Sequence, residues 1–72
     1  MNGGNLRELR KKKGMSLNDL SEHSGVSKSY ISYIERGVQN NPSLTVLEKI
    51  SKALDIELVR LIEKINGPGK SR

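Results

Sequence analysis

The apolar residues of this chain recur at spacings of three and four, and no stretch alternates in the way a half-buried strand would. Leu6 and Leu9 begin a first stripe that runs to about Lys13. Leu17 and Leu20 form a second, and Val26, Ile31 and Ile34 a third. Leu44, Leu47, Ile50, Ala53 and Leu54 make a fourth, and Leu58, Leu61, Ile62 and Ile65 a fifth. Each stripe predicts one amphipathic helix that buries one face. The expected fold class is therefore all-α, a compact bundle of five helices.

The residues between the stripes predict where the helices start and stop. Asn5 is expected to cap the first helix, with residues 1–4 as a loose leader. Lys11, Lys12 and Lys13 suit the negative end of its dipole, and Gly14 is the expected left-handed stop. Ser16 with Asp19 three residues later is a relative of the capping box and opens the second helix. Ser24-Gly25-Val26 ends it, with Gly25 supplying the positive φ of a sharp turn. Ser27 caps the third helix, which runs from Lys28 to about Arg36 and stops at Gly37. Residues 38–42 read as a polar loop, and Ser43 caps the fourth helix. Asp55-Ile56 is a short link, and Asn66 to Gly69 end the fifth helix. The expected organisation is one domain over residues 1–66 and a flexible basic tail over residues 67–72.

Composition narrows the function. The 72 residues make one small core, which rarely supplies more than roughly 3–5 kcal/mol unaided. A net charge of +5 favours polyanionic partners. The absence of cysteine excludes disulfides and thiolate metal sites. Tyr30 and Tyr33 are the only aromatics, which argues against a base-stacking sheet platform. No apolar run reaches the about 20 residues of a membrane span, and the N-terminus carries no apolar signal segment. The chain is expected to stay in the compartment where it is made, and its cysteine-free composition fits the cytoplasm.

Enzyme chemistry finds little support. Asp19 and Glu22 are helical neighbours on a solvated face, and the serines lack a histidine partner. His23, the single histidine, makes a poor metal site, and no phosphate-loop or dinucleotide fingerprint is present. No catalytic residue, metal or cofactor is expected. The third helix carries the chemistry instead. Opposite its apolar positions it presents Lys28, Ser29, Ser32, Tyr33 and Arg36. A helix that docks by one face and offers donors on the other suits a DNA major groove.

The core pattern Leu20, Gly25, Val26, Ile31 and Ile34, followed by Glu35-Arg36-Gly37, Asn41-Pro42-Ser43 and Ala53-Leu54, resembles the XRE-type helix-turn-helix family, which includes the lambdoid repressors and Cro proteins. The resemblance covers Leu6 to about Ile62. The run Ser27-Lys28-Ser29-Tyr30-Ile31-Ser32, followed by Ile34-Glu35-Arg36, is most similar to the DNA-binding domain of SinR-type bacterial regulators. Ser21 departs from the family's usual alanine, and its packing survives if the hydroxyl reaches a backbone carbonyl. Leu17 replaces a DNA-contacting glutamine of many phage repressors, as it does in SinR-type sequences.

The resemblance implies a lambda-repressor-like fold and a sequence-specific regulator of transcription. Such a protein binds a double-stranded operator as a two-fold dimer, usually as a repressor, with helix three in the major groove. It implies base reading by Lys28, Ser29 and Tyr33, with Ser27 and Ser32 beside them, and phosphate contacts from Ser16, Tyr30, Arg36, Asn40 and Asn41. Arg10 and Glu35 lie at the margins of core-facing stripes, and the resemblance implies that they form a buried ion pair. Val59, Ile62 and Ile65 form an apolar edge expected to meet a second copy. Three rival roles remain: a restriction–modification controller protein, an antitoxin of the same fold with a toxin partner, and a protein-interaction module without DNA binding.

Overall fold

The computed structural model describes residues 3–37 and 42–66. They form five helices: α1 (Gly3–Lys12), α2 (Leu17–Ser24), α3 (Lys28–Glu35), α4 (Leu44–Leu54) and α5 (Leu58–Asn66). Among the described residues there is no strand. α1 packs on α3 and α5, α2 on α3 and α4, and α4 on α5. All five stripes thus converge on one core. Leu6, Leu20, Ile31, Ile34, Ile50, Leu54 and Leu61 are fully buried at its centre, with Val26 and Leu47 at its margin. Removing an aliphatic side chain of this kind from water contributes about 1.5–3 kcal/mol.

The serine caps occupy the expected places. Ser16, Ser27 and Ser43 each have extended backbone, and each hydroxyl accepts the amide N–H three residues on. Each cap satisfies one of the donors that a helix start leaves unpaired. Gly14, Gly25 and Gly37 take positive φ, as stops and turns require. Asp55, at the α4–α5 link, also takes positive φ, at 59°, which is uncommon outside glycine and asparagine.

Three expectations need correction. α1 begins at Gly3, so Asn5 lies inside its first turn and is not its cap, and Gly3 and Gly4 are not leader. Glycine disfavours helix locally, but Leu6 anchors this turn in the core and packing overrides the preference. Leu44 is 58% exposed although it continues the α4 stripe. It is the first residue of α4, and the stripe extends past the end of the core there. Ile65, expected at an intermolecular edge, is 1% exposed and completes the monomer's own core. The last turn of α5 is still covered by the elements it packs on, so the core reaches further along this helix than its length predicts. Asn40, Asn41 and residues 67–72 lie outside the described residues.

Candidate nucleic-acid interface

Two short helices need a rigid joint if one is to present the other. Between α2 and α3 the joint is built on Val26. Its amide N–H donates to Ser24 Oγ at 3.1 Å, and its carbonyl accepts from Ser21 Oγ at 2.7 Å. Both backbone groups of the turn residue are therefore held by hydroxyls of α2, while its side chain enters the core. Gly25, at φ 78°, donates its own N–H to the Ser21 carbonyl at 2.8 Å. A Cβ there would meet no neighbour, so the requirement for glycine comes from φ alone. The hydroxyl of Ser21 reaches a carbonyl, as its packing in place of alanine demands. Ser24 is a member of the joint that sequence reading missed; the signal was a hydroxyl immediately before the turn glycine, two residues from the amide it binds.

α3 has two faces of opposite character. On the inner face Ile31 and Ile34 are fully buried. Glu35 also turns inward. Arg10 Nε donates to its Oε2 at 2.7 Å and Arg10 Nη2 to its Oε1 at 3.1 Å. Only 9% of the arginine side chain and 8% of the glutamate side chain remain exposed. Arg10 Nη1 donates to the Met15 carbonyl at 3.0 Å. One guanidinium thus ties together α1, the α1–α2 link and the end of α3. Donation to the Glu35 carboxylate raises the Arg10 pKa above its ordinary value, against a smaller opposing effect of burial.

The outer face is polar and cationic. Lys28, Ser29, Tyr33 and Arg36 are exposed, and Ser32 and Tyr30 are half-buried. Tyr30 packs against the core. Ser27 sits exposed at the start of the helix, its hydroxyl accepting from the Tyr30 amide at 3.1 Å. The Arg36 guanidinium lies over the Tyr33 ring, 5.4 Å from its centroid. Sequence reading did not pair these two; the signal was the three-residue spacing that makes helical neighbours. Because Glu35 points inward, the outer face carries Lys28 and Arg36 with no acidic side chain of α3 beside them.

Ser16 opens α2, and its end is less open to anions than expected. A full capping box forms, with Asp19 N–H donating to Ser16 Oγ at 3.0 Å and Ser16 N–H donating to Asp19 Oδ2 at 2.9 Å. The bond from the Ser16 amide holds the Asp19 carboxyl below its ordinary range. A carboxylate therefore already occupies this helix start, whereas α3 and α4 have no acid in their first turns. At the far side of the bundle Val59 is 63% exposed and Ile62 half-buried, so the expected apolar edge reduces to these two residues. Leu9, Asp55, Ile56, Glu57, Arg60 and Lys64 line a shallow cavity of about 360 Å³, which takes no residue from α2 or α3. Among the described residues no group of histidine, cysteine, aspartate or glutamate is arranged to hold a metal, and no helix is long and apolar enough to cross a membrane.

Two helices joined by a hydroxyl-clamped turn, with the second showing a cationic outer face, define a helix-turn-helix. Residues 6–61 match the helix-turn-helix family, and the chain belongs to it, as a member of the XRE type. It is 50% identical to the HTH-type transcriptional regulator SlrR of Bacillus subtilis over 74 residues, covering 93% of this chain and 49% of SlrR. To the HTH-type transcriptional regulator SinR of Bacillus subtilis it is 47% identical over 64 residues, covering 89% of this chain and 58% of SinR. The chain spans about half the length of these curated relatives. A crystal structure of SinR in complex with DNA superposes with a TM-score of 0.81 at 48% identity, covering 88% of this chain and all of that one. The restriction–modification controller protein C.AhdI from Aeromonas hydrophila gives a TM-score of 0.77 at 46% identity, covering 82% of this chain and 88% of that one.

Proposed function

We propose that this chain binds double-stranded DNA in a sequence-specific way and regulates transcription, as a repressor that occupies an operator. The observation that carries the reading is the outer face of α3, where Lys28, Ser29 and Arg36 are exposed while the one acid of the helix is turned into the core. α3 enters the major groove, and α2 crosses the backbone beside it. Lys28 donates to guanine O6 or N7, and Ser29, with Ser32 and Ser27 nearby, adjusts to the neighbouring base edges. Arg36 and the α2 start at Ser16 hold phosphates, with Tyr30 and the Asn40-Asn41 segment as further phosphate contacts. Two copies sit on half-sites about 34–36 Å apart, because one such domain reads few bases. The likeness to SinR solved on DNA supports this arrangement.

Selection of bound duplexes from a random pool, followed by titration in increasing salt, tests it. Each phosphate contact contributes a slope of about −0.9 in log affinity against log salt. Binding that does not change between roughly 50 and 200 mM salt refutes the reading. A second reading, as a controller protein of a restriction–modification system, is favoured by the likeness to C.AhdI, with a TM-score of 0.77 at 46% identity. It predicts that the selected sequence lies upstream of methylase and endonuclease genes.

A further inference from the structure

We propose that Tyr33 is a positioning residue for Arg36, its ring holding the guanidinium ready for a DNA phosphate. The proposal rests on the DNA-binding reading above and assigns Tyr33 a role other than base reading. Three observations carry it. First, the guanidinium lies 5.4 Å over the ring, and both side chains sit on the exposed surface of the molecule. Second, the acid next in sequence is out of reach of Arg36, because both oxygens of Glu35 accept from Arg10. Among the described residues the Arg36 side chain makes this ring contact and no hydrogen bond or ion pair. Third, Arg36 stands at the α3 C-cap, where its amide N–H still bonds to Ser32, so its Cα is fixed relative to the ring.

The chemistry of the two groups makes the arrangement productive. Stacking uses the flat face of the guanidinium, and phosphate recognition uses its N–H edge. The two contacts do not compete. A long arginine side chain loses rotamer freedom when it is immobilised on a ligand. A ring that already restricts it removes part of that loss before DNA arrives. The ring does so without neutralising the charge, which a carboxylate in the same place would do.

The test uses the full chain and a duplex selected from a random pool. Binding is followed by fluorescence anisotropy across a salt series for Tyr33→Phe, Tyr33→Leu, Arg36→Ala and the double variant Tyr33→Leu/Arg36→Ala. Tyr33 is 45% exposed, so folding is expected to survive each change, and circular dichroism checks this. Tyr33→Leu should weaken binding by about two- to fivefold per protomer, the scale of an exposed cation–π contact. Tyr33→Phe keeps the ring and should bind as the wild type does. In the Arg36→Ala background Tyr33→Leu should add no further loss. Losses that multiply in the double variant overturn the positioning role. A Tyr33→Phe protein as weak as Tyr33→Leu also overturns it, since the hydroxyl would then touch DNA. So does a Tyr33→Leu protein with altered base preference and an unchanged salt slope. If the wild type shows no salt-dependent duplex binding, the DNA-binding reading itself fails, a result separate from failure of the stack alone.

Discussion

Glu35 and Arg36 are adjacent, oppositely charged and sent to opposite sides of α3. Glu35 is held by two hydrogen bonds from a residue 25 positions earlier and is nearly buried. Arg36 lies on the surface against one exposed ring. The inner face is tied into the fold: Ile31 and Ile34 are fully buried in the core, and Glu35 is held by Arg10 of α1. The outer face is tied to the fold only at its margin, where Tyr30 packs against the core, while Lys28, Ser29, Tyr33 and Arg36 are exposed. Lys28 and Ser29 are exposed, so their substitution is expected to carry little cost in stability. Inner substitutions should therefore be read in stability, and outer substitutions in binding.

The largest expected effect falls on the inner face. Glu35→Ala leaves the Arg10 guanidinium buried with one carbonyl as its remaining partner. Stranding a buried charge costs about 3–5 kcal/mol. That matches the roughly 3–5 kcal/mol a domain of this size has available. Urea denaturation should show a chain that is unfolded or close to it. The double variant Arg10→Leu/Glu35→Leu should recover most of the loss, because no uncompensated charge remains and only the Met15 carbonyl loses a partner. A stable Glu35→Ala protein with weakened DNA binding would move Glu35 to the outer face and erase the contrast between the two.

On the outer face Lys28→Ala should leave the melting temperature unchanged and cost about 1–3 kcal/mol on the best duplex, with preference relaxed at one position per half-site. Arg36→Ala should weaken every duplex to a similar degree and lower the salt slope by about one for each protomer. Competition titrations with point-substituted duplexes separate the two patterns. If both variants lose affinity uniformly, α3 holds the backbone alone and sequence is read elsewhere.

The contrast between the faces also explains what the sequence made legible. Helix number, the serine caps and the turn at Gly25 depend on local spacing and local hydrogen bonds, and they are visible in the chain itself. Coverage is not local. Leu44 and Ile65 both continue an apolar stripe, yet one is exposed and the other buried, because the ends of neighbouring helices decide where the core stops. Periodicity marks the side of a helix that is buried but not how far along the axis burial extends. Arg10 and Glu35 showed themselves as charges at stripe margins, while their pairing followed from family resemblance, since nothing local joins positions so far apart. The Tyr33–Arg36 contact was hidden for another reason: a surface side chain chooses among rotamers of similar energy, and helical spacing permits the pair without requiring it.

The smallest effect expected is at Asp19, where the two kinds of readout should move in opposite directions. Its carboxylate closes the α2 capping box, and its pKa is lowered by the amide of Ser16. A carboxyl whose folded pKa lies below its unfolded value adds stability above the unfolded value, about 3.9 for aspartate. That stability is lost as pH falls through the lowered folded value. Asp19→Asn should therefore melt slightly earlier than the wild type at neutral pH, and the gap should close in the acid range. For DNA binding the sign reverses. If the α2 start meets a phosphate through Ser16, the neutral side chain removes a repulsion, and binding should tighten modestly at low salt. Unchanged binding with the same fall in melting temperature would make Ser16 a cap and nothing more. Any phosphate contact of α2 would then have to come from other residues of that helix.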